Sequence, residues 1–263
     1  MKNDLKVYLK YIKMRFLSGL EYKGWWLAAL NVLFTCVTDP LSTILMFARM
    51  GNVGEWSMER ILLIYALAVC SFGLAETFCR GFDVFPWAMI QSGNFDRLLL
   101  RPRNLAVQVA GSVFHIHRLA RVAFGLGAIS WALVRMGVAV TPFSALVLVL
   151  ALAGGFLTYC GVFVLSSGIA FFTIKALDWI FILTNASYQV TRVPMDYMPR
   201  LLKRAFTFVM PVLLISYYPA SVVCGWGGAV WPGLMAAPVG AVFLVLSTIV
   251  WKAGVRHYKS TGS

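Results

Sequence analysis

Apolar residues along this chain fall into long blocks of about twenty, and short polar stretches separate the blocks. A block of that length crosses roughly 30 Å of hydrocarbon when it forms a helix. Strands of a membrane barrel would instead alternate apolar and polar residues over about ten positions, which is not the pattern here. The pattern therefore predicts an all-α, polytopic membrane protein in which residues 1–263 form a single transmembrane domain.

Six membrane-spanning helices fit the apolar blocks best. In chain order they are predicted at about residues 25–47, 61–79, 113–136, 142–173, 176–190 and 229–251. The first is expected to kink at Asp39-Pro40, because proline removes a backbone hydrogen-bond donor from a helix.

Residues 194–224, between the fifth and sixth predicted spans, contain a proline-interrupted apolar stretch, "FTFVMPVLLISYYPASVV". Pro211 and Pro219 each remove a backbone donor within it. Irregular backbone at membrane depth must be shielded by protein, so the sequence favours a pair of short re-entrant helices on the external side. The alternative is a seventh span, which would place the C-terminus outside the cell.

Residues 1–23 predict an amphipathic helix in the plane of the lipid head groups. One helical face carries Leu5, Tyr8, Leu9, Ile12, Phe16 and Leu20, and another carries Lys6, Lys10 and Lys13. An apolar face beside a lysine-rich face is typical of helices that bind a membrane surface. The alternative is a basic leader that only sets the orientation of the first span.

Composition supports membrane insertion, since 60% of the 263 residues are hydrophobic and 13% are charged. The net charge of +13 would suggest nucleic-acid binding in a soluble protein. Here the basic residues flank the apolar blocks, and the positive-inside rule accounts for them without a nucleic-acid partner. Most of them lie inside the cell if both termini are cytoplasmic. Arg200, Lys203 and Arg204 run against this orientation.

This topology places residues 82–103 in the cytoplasm. The stretch "QSGNFDRLLLRPRN" (residues 91–104) is unusually polar for this chain. It predicts a helix with Pro86 near its first turn, a break at Gly93, and a second helix capped by Asn94.

The second of these short helices carries Phe95, Leu98 and Leu99 on one face. A polar loop with an apolar face has two interpretations. Either a cytoplasmic partner docks on it, or the helix packs against its own membrane domain.

No catalytic motif is found in the sequence. There is no Gly-Lys dipeptide and hence no Walker A loop for binding nucleotide. On a helix, His115 and His117 would point about 200° apart and would not hold one metal. The five cysteines have no regular spacing and are interpreted as buried apolar side chains. We therefore expect a protein that is not an enzyme and binds no metal or cofactor itself.

Acidic residues inside predicted spans are of interest because a charge in hydrocarbon is costly unless it is paired or hydrated. Glu76 is expected to pair with Arg80, and Asp178 with Lys175, as structural ion pairs. Asp39 either lines a polar path or caps the backbone that Pro40 leaves free.

The whole arrangement resembles the ABC-2 type permeases of ATP-binding cassette transporters, in particular a bacterial and archaeal subfamily of mostly unassigned substrate. The resemblance rests on the basic leader, the loop "SGNFDRLLLRPRN", the segment "VMPVLLISYYPAS" and the tail "WKAGVRHYKSTGS". It implies an exporter-like fold with a cytoplasmic coupling helix and an external re-entrant segment.

The resemblance also implies partners and a location. Two separate ATPase subunits, which hold ATP and Mg²⁺, would drive this chain and a second permease, identical or paralogous, in the inner membrane. The coupling helix would dock on the ATPase through Trp87, Gln91, Asn94, Phe95, Asp96, Arg97, Leu98, Arg101 and Pro102. Residues 10–16 would form a second contact. Phe95 and Leu98 would be the apolar anchors of the docking surface.

Asp39, Pro211 and Pro219 are candidates for a translocation path. The basic approach at Arg200 and Lys203 either meets an anionic head group or substrate, or is a solvated patch. An amphipathic or hydrophobic substrate moving outward is the expected cargo. Two alternatives are an ion-coupled secondary transporter, which would need buried ionisable residues and repeats not found here, and a scaffold subunit that transports nothing.

Overall fold

The structure, a computed structural model, describes residues 2–21, 23–173, 178–227 and 229–258. Within these ranges all regular secondary structure is helical, as the apolar pattern predicts. The predicted ion pair between Asp178 and Lys175 and the tail "KSTGS" lie outside the described part of the chain.

The N-terminal third contains four helices. Their bounds are α1 Lys2–Glu21, α2 Trp25–Thr38, α3 Leu41–Met50 and α4 Met58–Phe78. The break between α2 and α3 falls at Asp39-Pro40, where the kink was predicted. Leu5, Leu9 and other apolar side chains of α1 are exposed, whereas the Tyr8 hydroxyl donates a 2.8 Å hydrogen bond to the carbonyl oxygen of Phe78.

A run of short helices then leads into the longest helices of the fold. The bounds are α5 Arg80–Phe85, a π-helix Pro86–Gln91, α6 Phe95–Leu99, α7 Leu105–Ser112, a 3-10 turn Ile116–Arg118, α8 Leu119–Arg135 and α9 Pro142–Thr173.

The C-terminal third is more broken than the rest. Its bounds are α10 Asp178–Val190, a 3-10 turn Met195–Tyr197, α11 Arg200–Arg204, a π-helix Ala205–Val209, α12 Val212–Ile215, α13 Tyr217–Cys224, α14 Trp231–Leu234 and α15 Ala236–His257.

Helix α4 forms the centre of the fold. Apolar side chains occur on every side of it, and most of them are buried among α8, α9 and α10. A helix that is hydrophobic on every side is expected in the interior of a membrane protein. The exposed apolar residues belong instead to the periphery, for example Leu27 and Phe34 on α2.

Helices α9 and α15 run together along most of α15 because glycines bring their backbones into contact. A Cβ atom at Gly154 would collide with the carbonyl group of Ala236, and one at Gly240 would collide with the carbonyl oxygen of Gly154. Small residues at such contacts allow membrane helices to approach closely and gain van der Waals packing.

Four helical stretches of the described residues are long and apolar enough to cross a membrane: Trp25–Met50, Met58–Phe78, Pro142–Thr173 and Ala236–His257. A fifth crossing is present if the bent pair Arg200–Val209 and Val212–Cys224 counts as one span. The six predicted spans therefore agree with the structure only at the level of a polytopic helical protein.

The third predicted span is shorter than expected. It begins at Leu119 and not near Val113, since residues 113–115 are not helical and a 3-10 turn follows. Of the fifth, predicted at about residues 176–190, the structure describes the helix Asp178–Val190.

The proline-interrupted segment is bent by 72° between Arg200–Val209 and Val212–Cys224. Pro211 lies at the bend, directly before α12. Pro219 lies in the first turn of α13. Backbone N–H groups in the first turn have no hydrogen-bond partner within the helix, so a proline there removes no helical hydrogen bond. All four side chains of α12 are buried, so this irregular backbone is shielded by protein, as the sequence argument required.

Candidate functional site

The polar segment, residues 80–104, begins as a direct continuation of α4 after a bend at Cys79. Pro86 is the first residue of the π-helix Pro86–Gln91, in agreement with its predicted place near a first turn, but α5 runs directly into that helix, so the helical stretch as a whole begins earlier, at Arg80. Pro86 is accommodated because the helix widens there into a π-turn, whose hydrogen-bond pattern differs from that of an α-helix. Gly93 ends this helix with a φ of 69°, as its predicted role as a break requires.

The inner face of the polar segment is an aromatic cluster. The Phe95 ring lies 5.3 Å from Phe85, 5.2 Å from Phe171 and 4.8 Å from Tyr258, measured between ring centroids. Phe95 is fully buried and Leu98 is nearly so. These contacts fix α6 against the ends of α9 and α15.

The burial of Phe95 and Leu98 corrects their predicted role as apolar anchors for a partner. Both side chains pack against the chain's own membrane domain, which was the alternative interpretation of this apolar face. Three consecutive leucines cannot share one helical face, and the structure turns Leu98 inward while Leu100 is 84% exposed.

The outer face of the polar segment is exposed and mixes apolar, amide and basic side chains. Of the predicted docking residues, the exposed ones are Trp87, Gln91, Asn94, Arg97, Arg101 and Pro102, while Asp96 is half-buried. Leu99 and Leu100 are exposed as well. The segment thus has one face packed on the membrane domain and another that is free of contacts with it.

Two asparagines lie directly before these short helices, and the role of one of them differs from the prediction. Asn94 precedes α6, but its side chain accepts no capping hydrogen bond from that helix. The Asn94 side-chain amide donates instead to the Ser92 hydroxyl at 2.8 Å. Asn104 caps α7 instead, accepting a 3.0 Å hydrogen bond from the backbone N–H of Ala106.

Glu76, in the last turns of α4, is the centre of an ionic cluster. Its carboxylate lies 2.8 Å from Arg80 Nη1, 3.1 Å from Arg118 Nη1 and 2.5 Å from Arg121 Nη1. The pair with Arg80 was predicted. The two arginines beyond it were not, because they are more than forty residues away and the sequence carries no signal for this long-range contact.

Asp83 completes the group, since Arg80 Nη1 also contacts its carboxylate at 3.2 Å. We call Glu76, Arg80, Asp83, Arg118 and Arg121 the Glu76 cluster. Burial raises the pKa of Asp83, and the Arg80 guanidinium opposes that effect. The cluster joins α4, the polar segment and the start of α8, so these three elements are held together by charge as well as by packing.

The two histidines before α8 lie closer together than expected. Their ring centroids are 5.0 Å apart, because residues 113–118 are not an α-helix and the assumed 200° separation does not apply. Burial and the neighbouring Arg118 guanidinium lower the pKa of His117 to about 4. In the part of the chain that the structure describes, no three His, Cys, Asp or Glu side chains are grouped as metal ligands would be.

Cys79 and Cys160 also meet, with their sulfur atoms 2.7 Å apart. The sequence interpretation treated all five cysteines as separate apolar side chains and missed this contact between α9 and the bend that follows α4.

The candidate path residues lie in two different surroundings. Asp39, at the break between α2 and α3, borders a gap of about 10 Å³ together with Tyr65 and Arg121. A gap of this size holds about one water at most. Pro211 and Pro219 are buried within the bent segment instead.

The α11 cluster, Arg200, Lys203 and Arg204, borders a cavity of about 240 Å³ with Phe208 and Tyr218. Within the described residues, none of these three side chains forms an ion pair with an acidic group. Lys203 Nζ lies 5.9 Å from the centre of the Tyr217 ring.

Comparison with known proteins gives one match. A family described as "ABC-2 family transporter protein" matches residues 33–262, a range that includes the polar segment and the Glu76 cluster and begins after α1. No curated protein and no solved structure matches the chain. Because the family covers most of a chain built from apolar helices, the protein belongs to the ABC-2 transporter family and is a permease of that family.

Proposed function

We propose that this chain is the membrane subunit of an ABC-2 exporter, moving an amphipathic or hydrophobic compound out of the cell with energy from separate ATPase subunits. The observation that carries the proposal is the two-faced polar segment. One face is bound tightly to the membrane domain, and the other exposes Trp87, Leu100 and several basic residues.

Such a segment can transmit force only if it moves as one body with the spans. The Phe95 ring is in contact with residues at the ends of α9 and α15, and the Glu76 cluster ties Arg80 to α8. Packed elements of this kind switch between discrete arrangements and do not deform continuously. A displacement of the polar segment by an ATPase is therefore expected to displace α8, α9 and α15.

The docking surface that we propose is the exposed face alone. Trp87, Leu99 and Leu100 supply the apolar contacts, because large apolar side chains at the centre of an interface contribute most of its binding energy. Arg97 and Arg101 orient the approach of the partner through charge. Residues 10–16 of α1 form a second contact. ATP and Mg²⁺ stay on the ATPase.

The proposed topology has six crossings, with both termini cytoplasmic, in the inner membrane of a bacterium. The four long helices supply four crossings, α8 and α10 supply the others, and the bent segment within residues 194–224 re-enters from outside. Residues 1–23 lie on the membrane surface, and residues 82–103 form the coupling loop. A second permease, identical or paralogous, completes the transporter. Asp39, Pro211 and Pro219 stay candidates for the translocation path.

Copurification with the ATPase subunit that we expect to be encoded beside this gene tests the proposal. We expect the wild-type pair to copurify and to hydrolyse ATP in a vanadate-sensitive manner. Arg97→Glu and Leu100→Ala should weaken both properties without unfolding the permease, because their side chains are exposed.

The matched control for Arg97→Glu is Arg204→Glu, which makes the same change of charge on α11. Normal copurification of the Arg97→Glu variant, measured beside that control, would show that the docking surface is assigned wrongly. Phe95→Ala is a poorer test, since loss of that buried ring would disturb the membrane domain itself.

A further inference from the structure

We propose that the cavity beside the Glu76 cluster binds the anionic head group of an amphipathic substrate, an inference that rests on the proposed transport function and names its substrate class. The cavity has a volume of about 230 Å³. Five elements form its walls, namely α4, α5, α8, α9 and α10, together with the Arg118 side chain at the start of α8.

The charge of the cavity wall is unbalanced. Three arginines face two carboxylates, and Glu76 is shared by all three guanidinium groups. One positive charge is therefore left without a full counter-charge. Because a buried charge needs pairing or hydration, an anion in the cavity would complete the cluster.

Arg118 is the side chain best placed to receive that anion. It lines the cavity, and its Nε–H group is buried without a hydrogen-bond partner among the described residues. Its distance to Glu76 is the longest of the three arginines. A guanidinium group presents donors in a planar fork that suits phosphate, sulfonate or carboxylate.

Aromatic side chains line the cavity beside the arginines. They are Phe72, Phe163 and Tyr188, and the Arg121 guanidinium lies 5.0 Å from the centre of the Phe72 ring. These rings also pack against one another, with the centroids of Phe72 and Tyr188 5.7 Å apart, and together they give the cavity an apolar side. A ligand with an anionic head and an apolar body satisfies both the arginines and this apolar side, as ligand sites generally combine apolar surface with a few placed polar groups.

The cavity also borders the polar segment, because Arg80 and Asp83 belong to α5. Movement of that segment would shift two charged side chains of the cavity wall. Binding of the head group and docking of the ATPase are thus linked through the same ionic cluster, and the two events are expected to influence each other.

Direct binding tests the inference without nucleotide or ATPase. The full chain is placed in nanodiscs of phosphatidylcholine, and binding of radiolabelled dodecyl phosphate is measured at equilibrium. We expect saturable binding that unlabelled dodecyl phosphate displaces and dodecyltrimethylammonium does not. Arg118→Gln should weaken the affinity about tenfold or more, because a hydrogen-bonded charge is lost. Arg204→Gln, the matched control on α11, should leave it unchanged.

Two further competition measurements, with phosphatidylglycerol and with inorganic phosphate, identify the source of the anion. Displacement by phosphatidylglycerol in the nanodisc would support the anion site and assign it to membrane lipid. Displacement by inorganic phosphate at similar concentration would support the anion but overturn the amphipathic class. Arg118→Lys keeps the charge and should bind more tightly than Arg118→Gln, so that a general defect in folding is distinguished from the loss of a charge.

The inference is overturned if dodecyl phosphate does not bind saturably, if the ammonium probe binds equally well, or if Arg118→Gln binds like wild type. These results leave the copurification test of the ATPase partner untouched. Conversely, loss of the ATPase partnership would not alter binding in nanodiscs, so the two proposals fail separately.

Discussion

The Glu76 cluster and the α11 cluster each bring three basic residues beside apolar segments, yet they are built in opposite ways. In the Glu76 cluster the arginines surround a carboxylate that is 2% exposed. In the α11 cluster, within the described residues, the basic side chains have no acidic partner, and Arg200 and Arg204 are exposed. Basic residues in a sequence therefore do not by themselves separate a structural network from a solvated patch.

The two clusters differ physically in how far their charged groups are exposed to water. Burying a charge costs several kcal/mol, roughly, unless an opposite charge and hydrogen bonds compensate it. In the Glu76 cluster the three arginines compensate the buried charge of Glu76, so the members of the cluster depend on one another. The α11 cluster keeps its hydration, so its members are independent.

The largest expected effect is that of Glu76→Gln. Three guanidinium groups would lose their shared counter-charge, and removal of one partner from a buried ion pair costs about 3–5 kcal/mol. We expect a large drop in thermal stability in detergent and a lower yield of folded protein. Glu55→Gln, at an exposed position, is the matched control. A variant at position 76 as stable as that control would mean that the cluster does not hold the fold.

A smaller effect is expected for single arginines of the same cluster. Arg121→Gln removes the closest contact to Glu76 and a cation–π contact with Phe72, and should cost about 1.5–3 kcal/mol. Arg118→Gln should cost less, since Arg80 and Arg121 still neutralise Glu76. Chemical denaturation measures the loss of stability in each variant. A larger loss for Arg118→Gln than for Arg121→Gln would contradict the geometry of the cluster.

The smallest effect is expected for the α11 cluster. Arg204→Gln removes an exposed charge without an acidic partner, and surface substitutions of this kind change stability by about 0.5 kcal/mol or less. The same denaturation series measures it. If Arg204→Gln lost as much stability as Arg121→Gln, the proposed difference between the two clusters would be contradicted.

Much of the fold follows from local patterns in the sequence. The twenty-residue apolar blocks predict a helical membrane protein, Asp39-Pro40 separates α2 from α3, and Pro211 marks the bend between two helices. These features depend on backbone chemistry within a few residues, which the sequence displays directly.

The start of α8 depends on contacts that the sequence does not display. That helix begins late, and Arg118 and Arg121 at its start turn toward Glu76, a residue on α4. Hydropathy alone cannot anticipate an ion pair between two distant helices.

The polar segment at the candidate site also depends in part on long-range contacts that the sequence does not display. Its existence, its exposed arginines and the break at Gly93 could be predicted from polar composition. The inward position of Phe95 depends on Phe171 and Tyr258, which come from distant parts of the chain. The docking surface is therefore expected on Trp87, Leu99 and Leu100, which are exposed, and not on Phe95 and Leu98, which are buried.

Site-specific photo-crosslinking tests the central claim, that the exposed face of the polar segment docks an ATPase, most directly. The photoreactive amino acid p-benzoylphenylalanine replaces Leu100 in one variant and Phe208, an exposed residue beside the α11 cluster, in another. Each variant is coexpressed with the ATPase subunit that is used in the copurification test and is irradiated in membranes. We predict a crosslink to the ATPase from position 100 and none from position 208. Crosslinking from position 208 alone, or from neither position while the complex copurifies, would contradict the account.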